Sequence, residues 1–195
     1  MEFFPNGNVV RLRSHHKKYL FAKDDRETVG QDKHGSYNGT RWTVELVTGF
    51  NSVIRLKSCH GKYLTASDQP LILEGLGRSM KVVQTLPSPV DSTIDWEPIR
   101  VGQHIRLKSR RHSVDSFLRG SGSLRFYSVS HYPAQVDTDK DSLDWDVEHP
   151  LGNTMGKWQI GVGIVGAAAG AVYTSHSHDN VGDEDADGGV DMWEF

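Results

Sequence analysis

The sequence has one cysteine, Cys59, in 195 residues, so no internal disulfide can form and a stapled extracellular scaffold is excluded. A reducing compartment, and with it a cytoplasmic location, is the expectation. The opening Met1-Glu2-Phe3-Phe4-Pro5 lacks a basic segment followed by an apolar run and is not read as a secretory leader. Asn38-Gly39-Thr40 is accordingly read as hairpin-turn chemistry and not as a glycosylation acceptor. Residues 1–150 also lack any long apolar run and any sustained stripe of helical period, which removes a helical bundle from consideration. Enzyme signatures are missing as well. There is no Gly-x-Ser-x-Gly elbow and no His-Glu-x-x-His helix, and no other constellation supports catalysis.

Charge of one sign is scarce overall, at 22 Lys and Arg against 25 Asp and Glu. It is unevenly placed. Residues 1–150 hold 21 basic and 18 acidic residues, a balance of +3, while residues 151–195 hold one lysine and seven acids, a balance of −6. An excess of +3 is too small and too scattered for nucleic acid, which asks for a concentrated basic stripe. With 36% hydrophobic residues the chain has material for one globular body and a tail.

What is present is a repeat. Val9-Val10-Arg11-Leu12-Arg13-Ser14 recurs as Val53-Ile54-Arg55-Leu56-Lys57-Ser58 and as His104-Ile105-Arg106-Leu107-Lys108-Ser109. Each copy leads to an aromatic–leucine pair, Tyr19-Leu20, Tyr63-Leu64 and Phe117-Leu118, the third delayed by Arg110-Arg111-His112-Ser113. Each unit closes on a tryptophan, Trp42, Trp96 or Trp145. The apolar period within the units is two, which makes strands, and Gly, Asn, Asp and Ser clusters such as Asn6-Gly7, His60-Gly61 and Arg119-Gly120-Ser121-Gly122 supply turns. Three such units bury their inner faces and lose their open edges by closing on one another. The expected fold is an all-β, threefold barrel, the β-trefoil, over residues 1–150, with the tryptophans as core anchors.

Met1-Glu2-Phe3-Phe4, Lys18-Tyr19-Leu20, Arg41-Trp42-Thr43-Val44-Glu45, Gly61-Lys62-Tyr63-Leu64-Thr65-Ala66-Ser67 and Asp95-Trp96-Glu97-Pro98 resemble a plant family of unknown function placed with the fascin-like, actin-cross-linking β-trefoils. The resemblance covers residues 1–150. It implies a non-catalytic binding module and, as partner, actin filaments or another acidic protein. The basic residues that alternate with the core, Arg11, Arg13, Arg55, Lys57, Arg106 and Lys108, joined by Lys17, Lys18 and Lys62, are the candidate surface, and an acidic filament suits it. The same residues also read as solvent-facing charges that keep strands soluble. The alternative is a carbohydrate- or lipid-binding trefoil. A lectin ranks lower, because the residues before the tryptophans are Arg41, Asp95 and Asp144 and no Gln-x-Trp signature occurs.

In the tail, residues 158–173 are glycine- and alanine-rich and uncharged. Gly161-Val-Gly163-Ile-Val-Gly166 matches a dinucleotide fingerprint without its βαβ context. The uncharged run from 160 to 173, about 21 Å as a helix, falls short of a bilayer core, although Trp158 and Tyr173 suit membrane association through this segment; the leading reading is a flexible or partly helical apolar tail that docks on the body or on a partner. Further on, Asp183, Asp185, Asp187, Gly189, Asp191 and Glu194 fall in the register of a calcium loop, with Gly188 at its turn. The flanking helices of such a loop are missing, and an acidic solvated tail matches the same composition.

Overall fold

A computed structural model describes residues 2–71, 79–87, 92–111, 115–122, 128–133 and 140–150, all within one compact unit, Met1–Gly156. The tail segment 158–173 and the calcium-loop residues from Asp183 to Glu194 lie outside the described residues. Among the described residues, no helix is long and apolar enough to cross a membrane.

The repeats become strands as their period demands. The first unit contributes β1 (Val9–Ser14), β2 (Tyr19–Ala22), β3 (Val29–Asp32) and β4 (Trp42–Leu46); the second β5 (Ile54–Lys57), β6 (Tyr63–Pro70), β7 (Met80–Thr85) and β8 (Trp96–Val101); the third β9 (His104–Ser109), β10 (Ser116–Gly120), β11 (Val129–Pro133) and β12 (Trp145–Glu148). In β1 Val10 and Leu12 are buried and Arg11 and Arg13 half-buried, and Ile54 and Leu56 in β5 and Ile105 and Leu107 in β9 repeat the pattern with their neighbouring basic residues. The first and last strands of the units pair antiparallel in a closed ring, β1 with β4, β4 with β5, β5 with β8, β8 with β9, β9 with β12 and β12 with β1. Closure removes every edge from this barrel. The hairpins β2–β3, β6–β7 and β10–β11 cap one end. The protein is a β-trefoil.

Core and cap both obey the threefold rule. Trp42, Trp96 and Trp145 are fully buried, and each indole N–H donates to the carbonyl of the leucine in its own unit's aromatic–leucine pair: to Leu20 at 3.2 Å, Leu64 at 2.9 Å and Leu118 at 3.2 Å. A buried indole needs such an acceptor. Opposite those leucines in the hairpin register stand Gln31, Gln84 and His131. Each donates to the backbone of the neighbouring hairpin: Gln31 Nε2 to Ser121 O at 2.9 Å, Gln84 Nε2 to Lys23 O at 3.3 Å and His131 Nε2 to Ser67 O at 2.7 Å. These acceptors are equivalent positions three residues past each leucine, so the cap closes as a wheel of three polar spokes.

Two turn expectations are corrected. Asn38-Gly39 is not a hairpin turn but part of a 3₁₀ turn, Asn38–Thr40, leading into β4. A type I′ hairpin needs positive φ, which Gly39 does not have; it is glycine because a Cβ there would sit 2.5 Å from the Ala22 carbonyl. Gly120 belongs to β10 and not to a turn. A side chain there would press on the Gln31 amide, 2.9 Å from its Cβ position.

Candidate functional site

The proposed basic residues do not meet in one patch, because the barrel distributes them around its axis in threes. Arg55 Nε donates to Asp95 Oδ1 at 2.6 Å, and Arg106 Nε to Asp144 Oδ1 at 2.6 Å. Lys57 lies 3.4 Å from Glu45, Lys108 2.6 Å from Asp115 and Arg13 3.9 Å from Glu148. Lys17 and Lys62 belong to the tight turns β1–β2 and β5–β6, the former exposed and the latter half-buried. Lys18 shares the first of these turns, and desolvation lowers its ammonium pKa. Arg11 stands apart. It donates Nη1 to Gly35 O at 2.9 Å and forms no ion pair among the described residues.

The repeats differ most at the three seams where the β1–β2-type turn of one unit faces the hairpin of the preceding unit. The position four residues past each leucine is Asp24, Asp68 or Gly122, and the facing turn residue is His60, Arg111 or His16. At the seam of the second and third units, Arg111 plugs the space, donating to Ala66 O at 3.0 Å and pairing with Asp68. At the seam of the third and first, the His16 ring lies where a Cβ on Gly122 would be. The seam of the first and second units is different. Asp24 is 99% exposed and 4.0 Å from His60 Nε2, and no arginine reaches it among the described residues.

That seam opens into a groove of about 510 Å³ lined by Phe21, Asp24, Tyr37, Asn38, Cys59 and His60, with Gly39 at its base. Its wall is aromatic. Tyr37 is 49% exposed and held by Phe21 and His34, with ring centroids at 6.2 and 5.5 Å. The loop carrying Tyr37 is pinned at Gly35, whose carbonyl accepts from Arg11 Nη1 at 2.9 Å and Thr40 Oγ1 at 3.0 Å. Burial pushes the Cys59 thiol up, with the Asp24 carboxylate adding to it, so the cysteine lines the groove as a neutral thiol and not as a nucleophile. An aromatic face, an exposed carboxylate approached only by His60 at 4.0 Å among the described residues, and an amide line one concave groove, groups that can offer a face to C–H surface and hydrogen bonds to hydroxyls.

The groove was not among the sequence-derived candidates. Its residues come from two units and carry no contiguous motif. The usable signal was the comparison of Asp24, Asp68 and Gly122 with their facing turn residues.

The family model for the β-trefoil domain of unknown function DUF569 matches residues 1–145. The chain belongs to that family. No curated protein matches it. Among solved structures it is similar to the Macrolepiota procera ricin B-like lectin in complex with lactose, at TM-score 0.58 and 14% identity over 75% of this chain and 98% of that one. It is also similar to the Polyporus squamosus lectin bound to a human-type influenza-binding epitope, at TM-score 0.55 and 12% identity over 75% of this chain and 50% of that one. A third is the endo-β-galactosidase of Clostridium perfringens that releases GlcNAcα1-4Gal, at TM-score 0.54 and 14% identity over 72% of this chain. The match spans only 32% of that enzyme's length. These likenesses are likenesses of fold.

Proposed function

We propose that the protein is a non-catalytic carbohydrate-binding β-trefoil that uses the groove between its first and second units. The observation that carries this reading is the asymmetry of the seams: one is filled by Arg111, one by His16, and the one left open presents Asp24 beside the exposed Tyr37 ring. Lectins built on the same barrel give it precedent. An acidic partner such as an actin filament, the partner that goes with a fascin-like affinity, draws less support. Arg55, Arg106, Lys57 and Lys108 are each paired with an acid of the same domain, and paired charges attract an acidic surface weakly.

The test is calorimetric titration of the full chain with saccharides chosen from a glycan array. Tyr37→Ala and Asp24→Asn are each expected to weaken binding by about tenfold or more, the value of one stacking face or one charge-assisted hydrogen bond. Binding that survives both substitutions unchanged removes the groove from the interaction.

A further inference from the structure

Resting on the carbohydrate reading, we propose that Arg11 and Arg41 form an oxyanion subsite beside the groove, and that the saccharide taken is an acidic one, bearing a carboxylate or a sulfate ester.

The threefold symmetry is broken at this position. Arg11, Arg55 and Arg106 occupy equivalent positions of the triplicated strand, and the residue before each closing tryptophan is Arg41, Asp95 and Asp144 in turn. In the second and third units the aspartate accepts from the arginine Nε at 2.6 Å. In the first unit the acid is replaced by a second cation. Arg11 Nε is left buried with no hydrogen-bond partner, while Arg41 is exposed. Glu148, opposite Arg11 in the barrel register, is already engaged by the Tyr19 hydroxyl at 3.3 Å and approached by Arg13. The first unit therefore carries two positive charges where its mates carry a neutral pair. Two like charges held at one position repel, and an oxyanion placed between two arginines relieves that repulsion with the geometry guanidinium groups favour.

Arg41 is also next to the groove. Its N–H closes the Asn38–Thr40 turn on Asn38 O at 3.0 Å, and Asn38 lines the groove. Three residues of 3₁₀ rise separate them, about 6 Å. The Gly35 carbonyl ties Arg11 to Thr40, the residue before Arg41, so the two cations and the groove share one short stretch of loop. In the proposed arrangement Arg41 takes the acidic substituent of a saccharide seated against Tyr37.

The experiment is calorimetric titration of the full chain, at physiological salt, with a galacturonate oligomer and a neutral galactose oligomer of equal length. A parallel titration with inorganic sulfate is followed through the arginine side-chain NMR signals. The expected result is about tenfold tighter binding of the acidic oligomer, lost in Arg41→Asp and kept in Lys81→Asp, which makes the same charge change in β7. Arg41→Asp is expected to fold, because aspartate stands at this position in both other units. Equal affinity for the two oligomers with no dependence on Arg41 overturns the subsite and leaves the groove standing. Failure of both oligomers to bind, with sulfate still moving the Arg11 and Arg41 signals, removes the groove reading and supports the subsite. Silence in all three titrations overturns both.

Discussion

The Tyr63 hydroxyl donates to Glu45 Oε2 at 2.8 Å across the seam between the first two units. Lys57 completes the cluster, 3.4 Å from Glu45 and with its ammonium 5.6 Å from the Tyr63 ring centroid. Burial and the Glu45 carboxylate raise the Tyr63 pKa. The same trio recurs between the third and first units as Tyr19, Glu148 and Arg13. Between the second and third units both polar partners have gone together: Phe117 stands for the tyrosine and Ile99 for the glutamate, and Lys108 turns to Asp115.

That joint replacement predicts a non-additive mutant cycle. Tyr63→Phe and Glu45→Ile should each cost about 1 kcal/mol, because each strands a partner. The double variant, which reproduces the third seam, should cost no more than either single one. Urea denaturation of the four proteins measures the coupling, and strictly additive losses would show that the trio is not a unit.

The barrel was legible because its signal is written three times. Val10, Leu12 and Trp42 with their two sets of equivalents state the alternation, the closure and the anchor, and the burial of all three tryptophans agrees with the sequence reading. The basic triplet was legible too, but the neutralisation of Arg55 and Arg106 was not. Asp95 and Asp144 lie some 38 to 40 positions along the chain from the arginines they bind, and only the closed barrel brings them together. The groove was harder still. Asp24 and His60 belong to different units, and the groove owes its openness to the absence of an arginine that a third unit happens to have. The repeat displays what the units share, whereas the groove lies in what they do not.

The turn between β1 and β2 carries avoidable strain. Lys17 has φ of 60° where the equivalent Gly61 has 75°, and a non-glycine residue in the left-handed region costs about 1 kcal/mol. Lys17→Gly is therefore expected to stabilise the protein by somewhat less than that, since glycine also gains freedom when unfolded. Gly61→Ala should destabilise it by a similar or larger amount. Thermal unfolding of both variants decides the matter, and a loss of stability in Lys17→Gly would mean that the lysine side chain makes a contact worth more than the strain.

Acid should loosen the β2–β3 hairpin before the barrel. Asp25 Oδ1 accepts from the backbone N–H of Glu27 at 2.9 Å and Thr28 at 2.7 Å, and the bonds to Thr28 and Glu27 hold its pKa below the usual carboxylate value. A depressed folded-state pKa contributes stability that is fully present above the unfolded value of about 3.9 and is lost as pH falls through the folded one. The stability difference between wild type and Asp25→Ala should stay constant above about pH 5 and shrink below about pH 4. Unfolding free energies measured from pH 2 to 6 give the profile, and a difference that does not change with pH would assign the aspartate no titrating role.

The polar wheel of the cap predicts which substitution each spoke tolerates. His131 is buried, its Nε2 donating to Ser67 O at 2.7 Å and its Nδ1 2.8 Å from Ser116 Oγ. A carbonyl only accepts, so Nε2 carries the proton, and in the neutral ring Nδ1 is free to take the serine hydroxyl. Glutamine fills the equivalent position in both other units and makes the equivalent bond. His131→Gln should therefore keep the Ser67 bond and cost within about 1 kcal/mol, whereas His131→Leu leaves a buried carbonyl without its donor and should cost about 2–3 kcal/mol. Denaturant unfolding separates the two. Equal losses would mean that the ring's shape, and not its hydrogen bond, closes the cap.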